Sequence, residues 1–129
     1  MPLTIHQPSD RPRPSGYNEA ASGGGVIAIA GQVAAEHVLA AGGGCVRQFG
    51  SALARFREVL DSAGADPDDV LLLRIYVTDI EAYRASTKEL GPAFRETMAG
   101  HFPASTLVEV SSLVDERAVV EIEGLAAAG

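Results

Sequence analysis

Two short segments of this chain are apolar on both faces of the β-strands that they predict. Val26–Ala30 reads Val-Ile-Ala-Ile-Ala, and Val70–Leu73 reads Val-Leu-Leu-Leu. Because successive side chains of a strand point to opposite faces of its sheet, both faces of these strands must be shielded from water. The chain offers two long helices, which can cover one face of such a sheet. The sequence therefore predicts self-association, with a partner chain covering the other face.

Both helices are predicted from the spacing of apolar residues. The first covers residues 45–63, where one helical face carries Val46, Phe49, Leu53, Phe56, Val59 and Leu60. The second follows Asp79, a suitable amino-terminal cap, and its buried face is Tyr83, Leu90, Phe94 and Met98. The Gly91-Pro92 pair is expected to break or kink this second helix, because proline lacks the N–H that a helix interior needs.

The other segments supply the strands of a mixed sheet. Residues 1–16 are predicted to be an extended, proline-containing arm, and residues 32–44 a flexible loop without clear periodicity. A hairpin is predicted to join residues 17–21 and 26–30 across a turn at 22–25, and a strand covers 70–77. Two final strands are predicted at about 106–111 and 118–126. The whole is an α+β chain that forms a single domain over residues 1–129.

Composition excludes several classes of function. The 129 residues carry a net charge of −7, with one lysine and nine arginines that do not cluster. Nucleic-acid binding depends mainly on cationic contacts to phosphate, so this charge argues against it. No signal peptide or membrane-spanning apolar run is visible, so no membrane association is expected. The single cysteine, Cys45, cannot form an internal disulfide, which fits a cytoplasmic protein.

No cofactor is predicted either. His6, His37 and His101 do not have the spacing of metal ligands, and no cluster of cysteine and histidine exists in the sequence. Three glycines precede the first helix, but the lysine and hydroxyl residue of a phosphate-binding loop are absent. The sequence therefore predicts neither a metal site nor a nucleotide cofactor.

The last predicted strand carries two carboxylates at alternate positions. Glu121 and Glu123 share one face of this strand, and Val120 and Ile122 share the other. Alternation alone favours an ordinary strand whose charged face meets water. A role in chemistry needs further support from the surrounding residues.

That support comes from motifs distributed over nearly the whole chain. They run in order from Gly16 to Leu125 and include Ala30-Gly31-Gln32, Tyr76-Val77-Thr78-Asp79, Phe102-Pro103-Ala104 and Glu121-Ile122-Glu123. In order and spacing they make the chain resemble the RidA/YjgF/YER057c/UK114 family of enamine/imine deaminases, which also includes proteins described as endoribonuclease L-PSP. The resemblance implies a chorismate-mutase-like fold, with two helices packed on one face of a mixed sheet, assembled as a homotrimer.

The resemblance also implies a binding site for a small molecule in each cleft between subunits. The family reaction is hydrolysis of a reactive enamine or imine to a ketone and ammonia, without a cofactor. By matching positions, Glu121 would hold and activate water and Tyr17 would act as a gating phenol. The positions implied for substrate binding are Gly31, Ser105, Thr106 and Leu107.

One of these positions departs from the family pattern. Active imine deaminases follow Pro-Ala with an arginine that binds the substrate carboxylate, whereas this chain has Ser105. A serine hydroxyl offers one neutral donor in place of a planar, charged fork. We therefore expect a divergent member of the family with weak activity on standard 2-imino acids, unless Arg74, Arg84 or Arg117 supplies the cation.

Two other functions remain open at the level of sequence. The missing arginine is compatible with a non-catalytic trimer that binds small ligands or acts like a chaperone. An endoribonuclease or translation-inhibitor role is a third alternative, which the acidic charge disfavours.

Overall fold

The computed structural model of the protein describes residues 2–128. Met1 and Gly129, which the predicted domain also includes, lie outside the described residues. The strands are Thr4–His6 (β1), Ala20–Gly23 (β2), Val26–Gln32 (β3), Val70–Val77 (β4), Ala104–Glu109 (β5) and Val120–Ala127 (β6). The helices are Glu36–Ala40 (α1), Cys45–Ser62 (α2), Ile80–Ala85 (α3) and Thr87–Thr97 (α4), and a 3₁₀ turn covers Pro67–Asp69.

The six strands form one mixed sheet in the order β1-β2-β3-β6-β4-β5. Neighbouring strands are antiparallel except β4 and β5, which are parallel. The last strand in the sequence, β6, therefore lies inside the sheet, between β3 and β4. The predicted α+β class with a mixed sheet is confirmed, and the final strands are displaced by one or two residues from their predicted bounds.

The amino-terminal third differs from the prediction in two ways. The hairpin turn contains only Gly24 and Gly25, with φ of 59° and 82°, so β2 begins at Ala20 and not at Tyr17. Two consecutive residues with positive φ form a two-residue turn whose twist matches that of the strands on either side. Ser22 and Gly23 are therefore not part of the turn and pair with β3. The predicted extended arm is extended, but its residues Thr4–His6 also pair with β2 as an edge strand.

The helices also differ in detail. The segment predicted as a loop contains the short helix α1, whose Val38 and Leu39 are buried. The predicted second helix is divided at Ser86, where its hydroxyl donates to the Ala82 carbonyl, 2.7 Å away. The helix α4 continues through Gly91 and Pro92, so the break that was one of the two predicted outcomes does not occur. Packing of this helix against α2, with Leu90 and Met98 buried, outweighs the one backbone hydrogen bond that proline removes.

The core lies between α2 and one face of the sheet, which we call the covered face. The sheet contributes Ile27, Ile29, Leu73, Ile75 and Ile122, and α2 contributes the fully buried Leu53, Phe56 and Leu60. Val46, predicted to be part of this apolar face, is 39% exposed at the start of α2. No helix among residues 2–128 is both long and apolar enough to cross a bilayer.

The opposite face of the sheet carries apolar side chains that the chain itself leaves accessible. This open face consists of Val26, Ala28, Leu72, Val108 and Leu125, together with the polar residues described below. Val26 is 39% exposed and Val108 is 43% exposed. The prediction that the helices cover one face of the sheet is therefore confirmed for the described chain.

A buried ion pair anchors the amino-terminal segment to the sheet and to α2. The side chains of Arg11 and Glu19 are each 8% exposed, and their charged atoms lie 3.1 Å apart. Arg11 also donates to Gln32 in β3, at 2.8 Å, and to Glu58 in α2, at 2.6 Å. Gln32 donates in turn to Glu19, at 3.0 Å. The network joins the residues before β2 to the end of β3.

We expect Arg11→Met to destabilise the protein by about 3–5 kcal/mol, because Glu19 would remain buried without its positive partner. Arg13→Met is the matched control, since Arg13 is exposed, and its effect should stay within about 0.5 kcal/mol. Urea unfolding followed by circular dichroism measures both. Equal stabilities of the two variants would show that the buried pair does not anchor this segment.

Gly124 allows β6 to pass directly beneath α2. A Cβ atom at this position would lie 2.5 Å from the Leu72 carbonyl oxygen and 3.0 Å from Cζ of Phe56.

We expect Gly124→Ala to lower the free energy of unfolding by about 1–3 kcal/mol, because backbone and a buried ring must move. Gly50→Ala in α2 has open space around the new methyl group, and should stabilise the protein by about 0.5–1 kcal/mol. Opposite signs in thermal unfolding are the expected result, and a neutral Gly124→Ala would contradict this packing.

Candidate functional site

The candidate site lies on the open face, where β4 and β6 run side by side. Their register pairs Tyr76 with Glu121 and Arg74 with Glu123. Residues paired directly across two strands point to the same face, and so do residues two apart on one strand. The four polar side chains therefore occupy one patch among the apolar residues of the open face.

Glu121 is packed against Gly31. A register shift between Ile29 and Gln32 interrupts the pairing of β3 with β6 at this point. The absence of a side chain at Gly31 leaves space for the carboxyl group, because a Cβ atom there would lie 2.8 Å from Cδ of Glu121 and would overlap its oxygen. Two of the residues predicted from the sequence thus lie in contact.

The Glu121 carboxyl group is half-buried and free to interact with a ligand. Among residues 2–128 it accepts no hydrogen bond and forms no ion pair. Burial, and secondarily the negative charge of Glu123, raise the pKa of Glu121 above its ordinary value. A carboxylate with a raised pKa is a stronger proton acceptor than an exposed one, which suits it to acid–base chemistry.

The neighbouring carboxylate, Glu123, is engaged by two side chains. The Tyr76 hydroxyl donates to one oxygen of Glu123, and this hydrogen bond is the main reason why the pKa of Tyr76 is raised. Nη1 of Arg74 lies 3.7 Å from the other oxygen. The sequence shows the alternation of Arg74 with Tyr76 and of Glu121 with Glu123, but the register that joins the two strands could not be read from it.

The predicted substrate-binding residues of β5 divide between the two faces of the sheet. Thr106 pairs with Arg74 and lies on the open face, whereas Ser105 and Leu107 pair with Leu73 and Ile75 on the covered face. Within one chain, β4 also separates β5 from β6. Ser105 of a given chain is thus on the opposite side of the sheet from Glu121.

Ser105 lines a separate groove between α4 and β5. The cavity measures about 210 Å³, and its walls include Thr87 and the rings of Phe94 and Phe102. These two rings are stacked, with centroids 5.7 Å apart. The groove is mainly apolar, and Ser105, Thr87 and Tyr83 are the residues with a hydroxyl group among those that line it.

Tyr17 lies in the loop before β2 and is 56% exposed. Glu19, two residues further on, is held by Arg11 and accepts a hydrogen bond from Gln32, the neighbour of Gly31. The loop that carries Tyr17 is therefore anchored beside the Gly31 segment. Sequence reasoning did not identify this network, because its members are separated by up to 47 residues along the chain.

Two of the three arginines considered as replacement cations are engaged elsewhere. Arg84 pairs with Glu81 on the exposed surface of α3. Arg117 donates two hydrogen bonds of 2.9 Å to Glu36 and also binds Asp115, lowering the pKa of Asp115 to about 2. Arg74 is the one of the three that shares a face with Glu121. Among residues 2–128, no cluster of histidine, cysteine, aspartate and glutamate could hold a metal ion.

Comparison with known proteins identifies the family. The family model for endoribonuclease L-PSP matches residues 9–128. A solved member of the YjgF/YER057c/UK114 family from Mycobacterium tuberculosis is 32% identical, with a TM-score of 0.71 over 88% of this chain and 87% of that one. A protein of unknown function from Pseudomonas aeruginosa is 29% identical, with a TM-score of 0.81 over 98% and 93% of the two chains.

RidA from the Antarctic bacterium Psychrobacter sp. shares the fold, with a TM-score of 0.76 at 22% identity over 96% of this chain and 98% of that one. No curated protein matches the chain. Because the family model covers nearly all residues, and the fold and motifs agree with it, the chain belongs to the endoribonuclease L-PSP family, also called the RidA/YjgF/YER057c/UK114 family.

Proposed function

We propose that the protein is a RidA-like hydrolase that deaminates a reactive enamine, imine or related small metabolite at sites between the subunits of a trimer. The observation that carries this proposal is the pair formed by Gly31 and Glu121. The Glu121 carboxyl group is half-buried, has no partner among the described residues and has a raised pKa. It also lies on the face that the chain leaves open to a ligand or to another subunit.

The reaction requires one proton acceptor close to the C=N carbon. Water adds to that carbon while Glu121 accepts a proton from it, and the π electrons move to the nitrogen, which is protonated. The C–N bond of the resulting carbinolamine then breaks. The hydroxyl proton is transferred to the nitrogen through Glu121, so the nitrogen leaves as ammonia while the C=O bond of the ketone forms. An enamine enters the same route after protonation at carbon.

The remaining predicted residues have supporting roles in this proposal. Tyr17 is placed on an anchored loop and its exposed ring can close over a ligand. Gly31 and Thr106 line the open face, and the hydroxyl of Ser105 and the side chain of Leu107 belong to the groove side. Because the two sides of the sheet belong to different surfaces of one chain, a complete site requires the cleft between two subunits.

A second candidate is binding of a small molecule without catalysis. The specific observation in its favour is the apolar groove of about 210 Å³, whose polar side chains, Ser105, Thr87 and Tyr83, carry hydroxyl groups. Such a groove offers shape and hydrogen bonds but no group that takes up a proton at neutral pH. The RNA-cleaving role named by the family model is less well supported, because the chain carries a net charge of −7.

We expect light scattering to give a mass about three times that of the 13.4 kDa chain, because the apolar open face needs cover and the resemblance to the family implies a trimer. Val108→Asp should shift this mass toward that of the monomer. Val46→Asp is the matched control, since Val46 has a similar exposure of 39% but lies on α2, and it should leave the mass unchanged. A monomeric unmodified protein would exclude a site between subunits.

Glu121→Gln should abolish ammonia release from the imine substrate without destabilising the protein at neutral pH. The pKa of Glu121 is higher in the folded state than its ordinary value. Protonation of Glu121 therefore contributes most to the free energy of unfolding below the unfolded-state pKa, and this contribution is lost as the pH rises through the folded-state pKa. The glutamine variant is therefore as stable as the unmodified protein, or more stable, at pH 7.

The same shift sets the pH dependence of turnover. For the unmodified protein, kcat/KM should rise with pH as the Glu121 carboxylate forms, with a midpoint above the ordinary glutamate pKa of 4.5. Glu116→Gln, which changes an exposed carboxylate, serves as the control and should keep full activity. Full ammonia release by Glu121→Gln would show that Glu121 is not the base.

A further inference from the structure

We propose that Arg74 binds the carboxylate of the ligand at the open-face site and so makes the protein selective for anionic imines over neutral ones. This inference rests on the proposed function, since it assigns substrate selectivity to the site that contains Glu121. The sequence alone left open which of three arginines supplies the cation for the substrate carboxylate, and this inference assigns that role to Arg74 in β4.

The first support is the position of Arg74 relative to Glu121. Arg74 pairs with Glu123, and Glu121 is two residues away on the same strand and face. Diagonal neighbours of this kind are about 7–8 Å apart between their backbones. Two long side chains at that separation can hold the two ends of a small molecule, with its nitrogen-bearing carbon near Glu121 and its carboxylate near Arg74.

The second support is that the guanidinium group of Arg74 is available. Its one ion-pair partner among residues 2–128 is Glu123, and the separation of 3.7 Å is too long for a hydrogen bond. Within the single chain the side chain is 45% exposed, so no group of its own chain covers it, and it can line a cleft between two subunits. A guanidinium group presents a planar fork of N–H donors, and the two oxygens of a carboxylate can accept from both arms of it. Glu123 does not accept a hydrogen bond from this fork.

The third support is the way in which Glu123 is held. Tyr76 donates a hydrogen bond to Glu123 from the same face. This hydrogen bond fixes Glu123 beside Arg74. Arg74 neutralises the charge of Glu123, and Glu123 orients the guanidinium group without covering it. Tyr76 and Glu123 act as positioning residues for the guanidinium group. Without Arg74, Glu121 and Glu123 would repel an anionic ligand from this face.

Two imines that differ only in the carboxylate test the inference. An amino-acid oxidase converts alanine to 2-iminopropanoate, and a flavin-dependent amine oxidase converts ethylamine to ethanimine, which lacks the carboxylate. Ammonia release above the blank is measured for both with the unmodified protein, Arg74→Gln, Arg74→Lys and Arg84→Gln. Arg84 is the matched control because its partner, Glu81, lies on the surface of α3.

Arg74→Gln should lower kcat/KM for 2-iminopropanoate by about 10- to 150-fold, the range expected for losing a hydrogen-bonded charge pair. Its kcat/KM for ethanimine should change by less than about threefold. Arg74→Lys keeps the charge without the fork and should fall between these limits, and Arg84→Gln should behave as the unmodified protein. An equal loss with both imines, or no loss with either, would overturn the assignment of Arg74.

Binding of pyruvate, the product of 2-iminopropanoate hydrolysis, separates failure of this inference from failure of the proposed function. If the unmodified protein hydrolyses neither imine but binds pyruvate in calorimetry, and Arg74→Gln abolishes that binding, the hydrolase proposal fails and the role of Arg74 stands. If the protein hydrolyses 2-iminopropanoate and Arg74→Gln retains full activity, the hydrolase stands and the role of Arg74 fails. Neither turnover nor pyruvate binding would overturn both.

Discussion

The central position of β6 is the constraint on which both the core and the candidate site depend. This strand pairs with β3 on one side and with β4 on the other. Its alternate residues Val120 and Ile122 are fully buried under the helices, while Glu121 and Glu123 point to the open face. Since the period of a strand is two, a slip of one residue would bury the carboxylates and expose the core. Packing of the covered face therefore fixes where the carboxylates lie.

The open face carries exposed apolar side chains and a charged patch side by side. Val26 and Val108 expose apolar surface, and a charged, hydrogen-bonded patch lies between such residues. Cover by another subunit would remove the apolar surface from water and lower the local dielectric around the charges, which strengthens each electrostatic interaction there. Association and chemistry on this face are therefore coupled in the proposed function, because the same contact would complete both.

The segment around Gly31 connects the amino-terminal loop to this face. The irregular end of β3 brings Gly31 against Glu121, and the next residue, Gln32, is held in the buried network of Arg11 and Glu19. Tyr17 belongs to the loop that this network anchors. The position of Tyr17, the proposed gating residue, thus depends on Arg11 and Glu19. Both are close to Tyr17 along the chain, but neither has a role in the proposed chemistry.

The sequence by itself determined the family and the main helix and strands of the core, since these depend on local signals and on motifs read in order. Apolar periodicity placed α2 and β4, and the glycines placed the hairpin between β2 and β3. The tertiary structure decided what long-range pairing controls: the added strand β1, the uninterrupted course of α4 through Pro92, the contact of Gly31 with Glu121 and the opposite faces of Ser105 and Glu121. Periodicity states which residues share a face of one strand. The register between distant strands, which the packing of the whole core selects, decides which of those residues meet.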